Sequence, residues 1–236
     1  MNNKILIFTP TYNESENITE FISSVDSLGI EADILIIDDN SPDNTWKIIE
    51  QHKKNNKNLH LIKREKKEGV DTAHKIAYDY AVKNDYTNLI TLDSDLSHDP
   101  KLIPQFLEEL KTNAFVIGSR YIKGGKNGME GFRLLLSISG NKIIKYFLNL
   151  NGTEFTSSYR GFNLKKIRKF NFNKIKSQGY SFFMETVFRL NNLGYKSIEF
   201  PINFKRRDFG KSKIPKVEIF RTLYNIFKLY FKKKNL

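Results

Sequence analysis

The residues best suited to chemistry sit where short apolar runs give way to acids. Asp93-Ser94-Asp95-Leu96-Ser97-His98 follows the run Leu89–Leu92. On extended backbone, residues two apart share a side, so the Asp93 and Asp95 carboxylates can converge on one point. Two carboxylates that close repel unless a proton or a cation lies between them. A hard divalent cation, its shell completed by substrate phosphate oxygens, meets that requirement. The D-x-D-x-S spacing also fits the start of a calcium loop. That loop needs Gly at position six and Glu at position twelve, where this chain has His98 and Pro104. The competing structural role for both acids is to cap a helix that starts at Pro100.

A second cluster, Asp38-Asp39-Asn40-Ser41-Pro42-Asp43, follows the run Asp33–Ile37, and Thr9-Pro10-Thr11-Tyr12-Asn13-Glu14 follows Lys4–Phe8. Acids in such places accept hydrogen bonds from ribose or base groups. They serve turns and helix caps equally well, the role expected in part of Asp43 or Asn44. No G-x-G-x-x-G follows the first run and no G-x-x-x-x-G-K-[ST] occurs, so the dinucleotide and P-loop fingerprints are absent.

The elements that must hold these clusters alternate. Lys4–Phe8, Asp33–Ile37, Leu59–Lys63, Leu89–Leu92 and Phe115–Ile117 read as buried strands. Between them, Ser15–Leu28, Asn44–Asn55, Thr72–Val82 and Lys101–Leu110 space their apolar residues as helices do. Such alternation predicts parallel strands, right-handed crossovers and an open doubly wound α/β sheet, with ligands beyond the carboxyl ends of the strands. The Lys4–Phe8 run is too short and too promptly polar for a signal peptide. From Ser119 the character changes. A Gly/Lys loop, Lys123–Gly131, leads to a helix near Arg133–Leu148 and an irregular Ser/Thr segment. A helix near Phe182–Leu193, a strand near Ser197–Phe204, a basic loop Lys205–Lys213 and a helix Lys216–Phe231 follow. One domain over 1–215 is expected, with a 1–118 half and a 119–215 half, and then an interfacial helix and tail over 216–236.

Of 236 residues, 39% are hydrophobic and 28% charged, which is enough apolar matter for a core. There is no cysteine, which excludes disulfides, thiolate metal sites and a cysteine nucleophile. The net charge of +13 is unevenly placed: residues 1–118 carry 13 basic and 20 acidic residues, and residues 119–236 carry 26 and 6. An acidic half can hold a cation while a basic half faces an anionic partner, nucleic acid or an anionic membrane. A solvated lysine-rich surface is the plainer reading of many of these charges.

The ordered set Pro10-Thr11-Tyr12-Asn13-Glu14, Asp38-Asp39-x-Ser41-x-Asp43-x-Thr45 and Asp93-Ser94-Asp95-Leu96-Ser97-His98-x-Pro100 resembles family 2 glycosyltransferases of the GT-A fold. More narrowly, it is similar to dolichol-phosphate mannose synthases and their bacterial polyprenyl-phosphate relatives. The likeness continues through Gly118-Ser119-Arg120-Tyr121, Arg133-x-x-x-Ser137, Gly179-Tyr180-x-Phe182-x-x-Glu185 and Phe204-x-x-Arg207-x-x-Gly210-x-Ser212-Lys213. The resemblance implies a Rossmann-like GT-A fold: an open mixed sheet flanked by helices, with a C-terminal amphipathic helix. It implies a metal-dependent, inverting transfer of a hexose, mannose from GDP-mannose, to a polyprenyl phosphate at the cytoplasmic surface of a membrane. Pro10, Tyr12, Glu14, Ile37 and Asp39 would bind the donor's nucleoside, joined by Asp93, Ser94, Asp95, Arg207 and Lys213. Asp93, Asp95 and Ser97 would hold Mg²⁺ or Mn²⁺ against the diphosphate. Arg120, Arg133 and Ser137 would hold the acceptor phosphate, and with Asp95 they form the implied catalytic set. On a helix, Arg133 and Ser137 lie four apart on one face. The chain departs from the family pattern at Asp71 and Ser158, which replace glycines, at Glu154, which replaces an aspartate, and at Ser97, where some relatives have Gln.

The final helix places Val217, Phe220, Leu223, Tyr224, Phe227 and Phe231 on one face, opposite Glu218, Arg221, Asn225, Lys228 and Lys232. With Lys232–Lys234 following, that pattern suits a membrane interface, or a small integral-membrane partner, and not a span. No stretch of eighteen uncharged apolar residues is present. The enzyme alternative is a relative using a UDP-sugar or a saccharide hydroxyl, for which Glu185 is the candidate base. The resemblance makes Glu185 a positioning residue instead. A nucleic-acid-binding module is disfavoured, because the aromatics of the basic half fall at helical core spacing and the strand ends carry acids.

Overall fold

The computed structural model describes residues 4–205 and 217–234. Seven strands form one sheet in the order β3-β2-β1-β4-β7-β5-β8. They are β1 (Ile5–Thr11), β2 (Ala32–Asp38), β3 (Leu59–Lys63), β4 (Asn88–Thr91), β5 (Phe115–Ser119), β7 (Arg160–Asn163) and β8 (Ile198–Pro201). A two-stranded parallel ribbon joins β6 (Lys126–Asn127) to β9 (Asn203–Phe204). Helices α1 (Ile18–Asp26), α2 (Thr45–Lys53), α3 (Val70–Lys83) and α4 (Ile103–Thr112) connect the first five strands. Helices α5 (Gly131–Leu148), α6 (Tyr180–Asn192) and α7 (Val217–Lys234) belong to the second half.

Side-chain alternation along the strands builds two cores. Leu6 and Phe8 of β1, with Leu35 and Ile37 of β2, pack with α3, α6 and part of α5. Ile5 and Ile7, with Ile34 and Ile36, pack with α1, α2 and α4 on the other face. Strands buried on both faces explain why the sequence shows continuous apolar runs here.

The sheet is mixed. Strand β7 runs antiparallel between β4 and β5, while all the other pairs in the sheet are parallel. Its residues, Arg160-Gly161-Phe162-Asn163, fall within the segment expected to be irregular. Gly161 sits in close packing: a Cβ there would lie 3.0 Å from Leu110 Cδ1 and 3.2 Å from Ile90 Cδ1. Arg160 is 1% exposed and carries no apolar signal at all. Its guanidinium donates to three carbonyls: Nε to Ser157 (2.7 Å), Nη1 to Phe183 (2.9 Å) and Nη2 to Phe155 (2.9 Å). The expected strand near Ser197–Phe204 is divided at Ile202 into β8 and β9.

His74 of α3 is buried among Phe8, Phe182 and Phe183, with ring centroids 5.0–5.6 Å away. Burial, with Arg160 nearby, holds its pKa down to about 3. An unfolded histidine titrates near 6.5. Below that pH the unfolded chain binds a proton that the folded chain refuses, so stability is full above pH 6.5 and falls as the pH drops toward 3. Lowering the pH from 7.5 to 5 should cost about 2 kcal/mol through His74. Urea denaturation at both pH values should show His74→Leu losing correspondingly less than the wild type. Equal losses in the two proteins would refute the assignment.

Candidate active site at the carboxyl ends of the strands

The loops after β1 and β2 brace each other through short polar side chains. Asp38 accepts from Thr11 Oγ1 (2.9 Å) and from the Ser41 amide and hydroxyl (2.9 and 2.6 Å). Asp43 accepts from the Thr45 amide and hydroxyl (3.0 and 2.6 Å) and from the Ser15 amide (3.0 Å). Asn13 donates its amide to Ser41 Oγ (3.0 Å) and Glu14 donates its own to Thr45 Oγ1 (2.9 Å). Asn13, Asn40 and Asn44 take positive φ in these turns, a conformation asparagine tolerates better than most residues. Asp38 and Asp43 are thus architectural.

Asp39 is built differently. It pairs with the buried Arg64 and accepts from the amides of Glu68 (3.3 Å) and Gly69 (3.2 Å). Arg64 also donates to Thr72 Oγ1 (2.5 Å) and the Gly69 carbonyl (3.1 Å). Gly69, at φ +94°, makes this turn possible. Burial raises the Asp39 pKa, against the lowering effect of Arg64 and the two amides. The β3–α3 loop is thereby fastened over the β2 end, and Lys67 Nζ stands 3.8 Å from the centroid of Tyr12. Pro10, Tyr12, Glu14 and Asp39 therefore share one corner. The Ile37 side chain packs in the core, so only its backbone is available there. Asp71, where a glycine was expected, accepts from the Gly179 amide (3.1 Å) and ties α3 to the start of α6.

After β4, residues 93–98 form a turn and not extended strand, with Leu96 at φ +60°. Convergence of Asp93 and Asp95 by strand alternation therefore does not apply; the turn itself places them. The 3₁₀ turn at Pro100–Leu102 is capped by Asp99, which accepts from the Lys101 amide (3.0 Å). Capping thus falls to Asp99 and leaves Asp93 and Asp95 for other work. Asp95 is buried, and its Oδ1 accepts from the Ser97 amide (3.1 Å) and hydroxyl (2.5 Å). The Asp93 side chain is 31% exposed. Its amide donates to His98 Nδ1 (3.2 Å), and its Oδ1 accepts from Ser158 Oγ (2.7 Å). Ser94 is buried beside them. Ser97, expected as a third ligand, directs its hydroxyl proton to Asp95 and is itself buried. The donor set is all oxygen, which fits a hard divalent cation. Among the described residues no three acids or histidines cluster as a complete cage, so substrate oxygens would have to complete the shell.

The basic half adjoins this turn through His98, which is 2% exposed and packs against Tyr159 and Phe204 at 5.2 and 5.3 Å. Burial lowers its pKa; Asp93 and Asp95 pull it up, and Arg120 pushes it down. The Arg120 guanidinium lies 5.1 Å from the Phe204 ring and 5.2 Å from the Tyr121 ring. Its Nε donates to the fully buried Glu154 (2.7 Å). Burial works against the charged guanidinium, but Glu154, with smaller effects of Tyr121 and Tyr180, leaves its pKa raised. Glu154 Oε1 also accepts from the Thr156 and Ser157 amides (3.0 and 3.1 Å). Tyr121 OH meets Ser137 Oγ at 2.6 Å, so Arg120 and Ser137 are joined through one tyrosine. Arg133 is exposed one turn before Ser137 on α5 and has no ion pair among the described residues. Gly125 lets the Lys123–Gly131 loop close on this region, since a Cβ there would sit 2.7 Å from the Ser119 carbonyl oxygen.

Glu185 is not a base in waiting. Its Oε2 accepts from the Lys176 and Ser177 amides (3.2 and 2.8 Å), and its Oε1 accepts from Arg189 Nε (2.5 Å). Burial pushes its pKa up, but these hydrogen bonds prevail and leave it lowered. Arg207, Lys213, Lys216 and the side chains of Val217, Glu218 and Lys232–Lys234 lie outside the described residues. Sequence reasoning missed Arg64, His98 and Ser158 as supports of the site. The last of these had a visible signal, a hydroxyl where glycine was expected.

Comparison with known proteins speaks to family and fold. The model for "Glycosyl transferase family 2" matches residues 6–170. The chain is 32% identical over 212 residues to an undecaprenyl-phosphate mannosyltransferase of Micrococcus luteus, covering 89% of this chain and 87% of that protein. It is 29% identical over 226 residues to a polyprenol monophosphomannose synthase of Mycolicibacterium smegmatis, covering 94% and 85%. Among solved structures it resembles the mannosyltransferase PcManGT of Pyrobaculum calidifontis, in complex with GDP-Man and Mn²⁺, at TM-score 0.56 and 14% identity. It also resembles S. aureus TarS 1–349 in complex with UDP-GlcNAc, at TM-score 0.60 and 18% identity. These alignments cover 98% and 96% of this chain, and 64% and 66% of the solved chains. At such identities the structural likeness speaks for the fold alone, and that fold is GT-A. The chain belongs to glycosyl transferase family 2 and is a glycosyltransferase.

Proposed function

We propose that the chain transfers mannose from GDP-mannose to a polyprenyl phosphate, dolichyl or undecaprenyl, with inversion, at the cytoplasmic face of a membrane. The observation that carries this reading is that the Asp93 turn and Arg120 adjoin through His98 and Phe204. The names of the curated relatives support the mannosyl donor and the lipid phosphate acceptor. In this reading, Pro10, Tyr12, Glu14 and Asp39 hold the nucleoside, and Arg207 and Lys213 close on the diphosphate. Bound at Asp93 and Asp95, with Ser97 beside them, Mg²⁺ or Mn²⁺ would neutralise charge developing on the departing diphosphate. Arg120, Arg133 and Ser137 orient the acceptor phosphate. One of its oxygens forms the new bond to the anomeric carbon as the bond to the diphosphate breaks, and the electron pair leaves with the diphosphate. The phosphate is already ionised, so no proton has to be removed. A saccharide hydroxyl acceptor would need a base, and Glu185 is already committed to Lys176, Ser177 and Arg189.

Glu154 balances Arg120, so Arg133 supplies uncompensated positive charge to the acceptor site. The lipid reading is also supported by α7. Asn225, Ile226 and Leu229 pack on the domain, while Phe220, Leu223, Tyr224, Phe227 and Phe231 are exposed on the opposite side. Asn225, expected on the outer polar face, is therefore part of the packing face. Phe147 of α5 touches Phe227 and Tyr230 at 5.6 and 5.9 Å, and α5 itself exposes Phe132, Leu135 and Tyr146. Among the described residues no helix is long and apolar enough to cross a membrane. Exposed aromatics on two joined helices, flanked by Lys142, Lys145 and Lys228, suit an anionic bilayer interface. A small integral-membrane partner could share that surface.

Three measurements test the reading. Purified protein given labelled GDP-mannose, polyprenyl phosphate and Mg²⁺ or Mn²⁺ should form a mannosyl lipid. Chelation, Asp93→Asn or Asp95→Asn should abolish the product; full activity in any of the three removes the cation from the mechanism. Arg133→Ala should raise KM for the lipid phosphate by roughly tenfold or more, the size expected when a charged hydrogen bond is lost. Its calorimetric affinity for GDP-mannose should stay at the wild-type value, and comparable loss of donor binding would overturn the division of roles. Finally, Phe220→Ser/Phe227→Ser/Phe231→Ser should reduce binding to anionic liposomes and transfer to a long-chain acceptor, while transfer to a short soluble acceptor persists. A folded triple variant that still binds liposomes normally would show that α7 is not the membrane contact.

A further inference from the structure

We infer that Ser158 is a positioning residue for the cation site, its hydroxyl holding the Asp93 carboxylate in the orientation that receives a divalent ion. The inference rests on the reading of Asp93 and Asp95 as the cation-binding pair. Asp93 sits outside β4, in a turn, with 31% of its side chain exposed. A carboxylate so placed has rotamer freedom to lose when it binds an ion. Two contacts remove that freedom in advance. The Asp93 amide donates to His98 Nδ1 at 3.2 Å and fixes the backbone. Ser158 Oγ donates to Asp93 Oδ1 at 2.7 Å and fixes the side chain. Oδ2 stands 3.7 Å from His98 Nδ1, beyond hydrogen-bond reach.

Ser158 is itself held rigidly. It is buried, its carbonyl accepts from Thr91 Oγ1 at 2.6 Å, and it immediately precedes Tyr159 and β7. Tyr159 is stacked on Phe106 at 4.4 Å and donates its hydroxyl to the Asp99 carbonyl at 3.0 Å. Ser158 thus lies in a short loop tied directly to the end of β4 and leading into β7. Asp95 has a serine too, but a local one: Ser97, two residues along, reaches it within the same turn. Ser158 reaches Asp93 from 65 residues away. An ionised carboxylate offers about four lone-pair sites, so one donated hydrogen bond leaves room for a cation. Hydrogen bonds to a ligating carboxylate typically carry a tenfold to hundredfold effect on metal affinity. A glycine at this position would supply no such donor.

The test reads metal binding directly, without turnover. Mn²⁺ alone is titrated into the full chain and free Mn²⁺ is followed by electron paramagnetic resonance. Ser158→Ala should raise the Mn²⁺ Kd roughly tenfold. Ser158→Thr, which keeps the hydroxyl, should bind as the wild type does, and Ser158→Val, of the same shape without it, should bind as Ser158→Ala does. The Thr and Val pair keeps the comparison valid if Ser158→Ala does not fold. Equal affinity in the Thr and Val variants, or wild-type affinity in Ser158→Ala, overturns the inference. Asp93→Asn tells the two levels apart. If it retains Mn²⁺ binding, the cation reading and this inference fall together. If it loses Mn²⁺ while Ser158→Ala retains it, only the role of Ser158 falls.

Discussion

The guanidinium of Arg160 donates to the carbonyls of Phe155, Ser157 and Phe183, and much of the site depends on the segment this fixes. Burial draws the Arg160 pKa down to about 9, against the opposing effect of Glu154, and the group stays a cation at neutral pH. A buried cation without partners would be expensive, so the surrounding carbonyls must stay in place. The residues just before β7 then become a rigid bracket. Glu154 holds Arg120, Ser158 holds Asp93, and Tyr159 supports both Asp99 and His98. The Asp93 turn and the Arg120 cluster are both braced by one strand entry.

Charge is distributed by the same logic. Several acids at the strand ends are consumed by structure: Asp38 and Asp43 build turns, and Asp99 caps the 3₁₀ turn. Glu185 pins the loop before α6. What remains beside the basic half is the Asp93–Asp95 turn, two carboxylates whose repulsion a bound cation would relieve. Arg120, though basic, is neutralised locally by Glu154, so its value lies in shape and hydrogen bonding more than in net charge. The fixed charges at the strand ends are thus already arranged, the condition under which a site needs little reorganisation.

Helix α7 shows how one amphipathic sequence can serve two surfaces. Its apolar residues fall on opposite sides: Ile226 and Leu229 seal the core, while Phe220, Tyr224 and Phe227 face outward. The helix is docked on α5 and α6, and its outward aromatics continue onto α5 through Phe147. A docked helix that keeps an outward apolar surface has the amphipathic form of an interfacial helix.

The sequence by itself determined the five leading strands, their helices and the acids at their ends, because local periodicity and the strand-end rule need no distant partner. The ordered motifs also pointed to the family. Only the tertiary structure decided which acids were structural. Asp39 meets Arg64 and Asp93 meets Ser158 across separations that no local pattern encodes. Strand β7 escaped notice for a similar reason: its arginine and glycine are strand residues only because Phe155, Ser157, Phe183, Leu110 and Ile90 surround them. The two faces of α7 were equally hidden, since apolar spacing shows that a helix has greasy sides but not which one the fold will cover. Periodicity is a property of neighbours along the chain, whereas burial and charge pairing belong to neighbours in space.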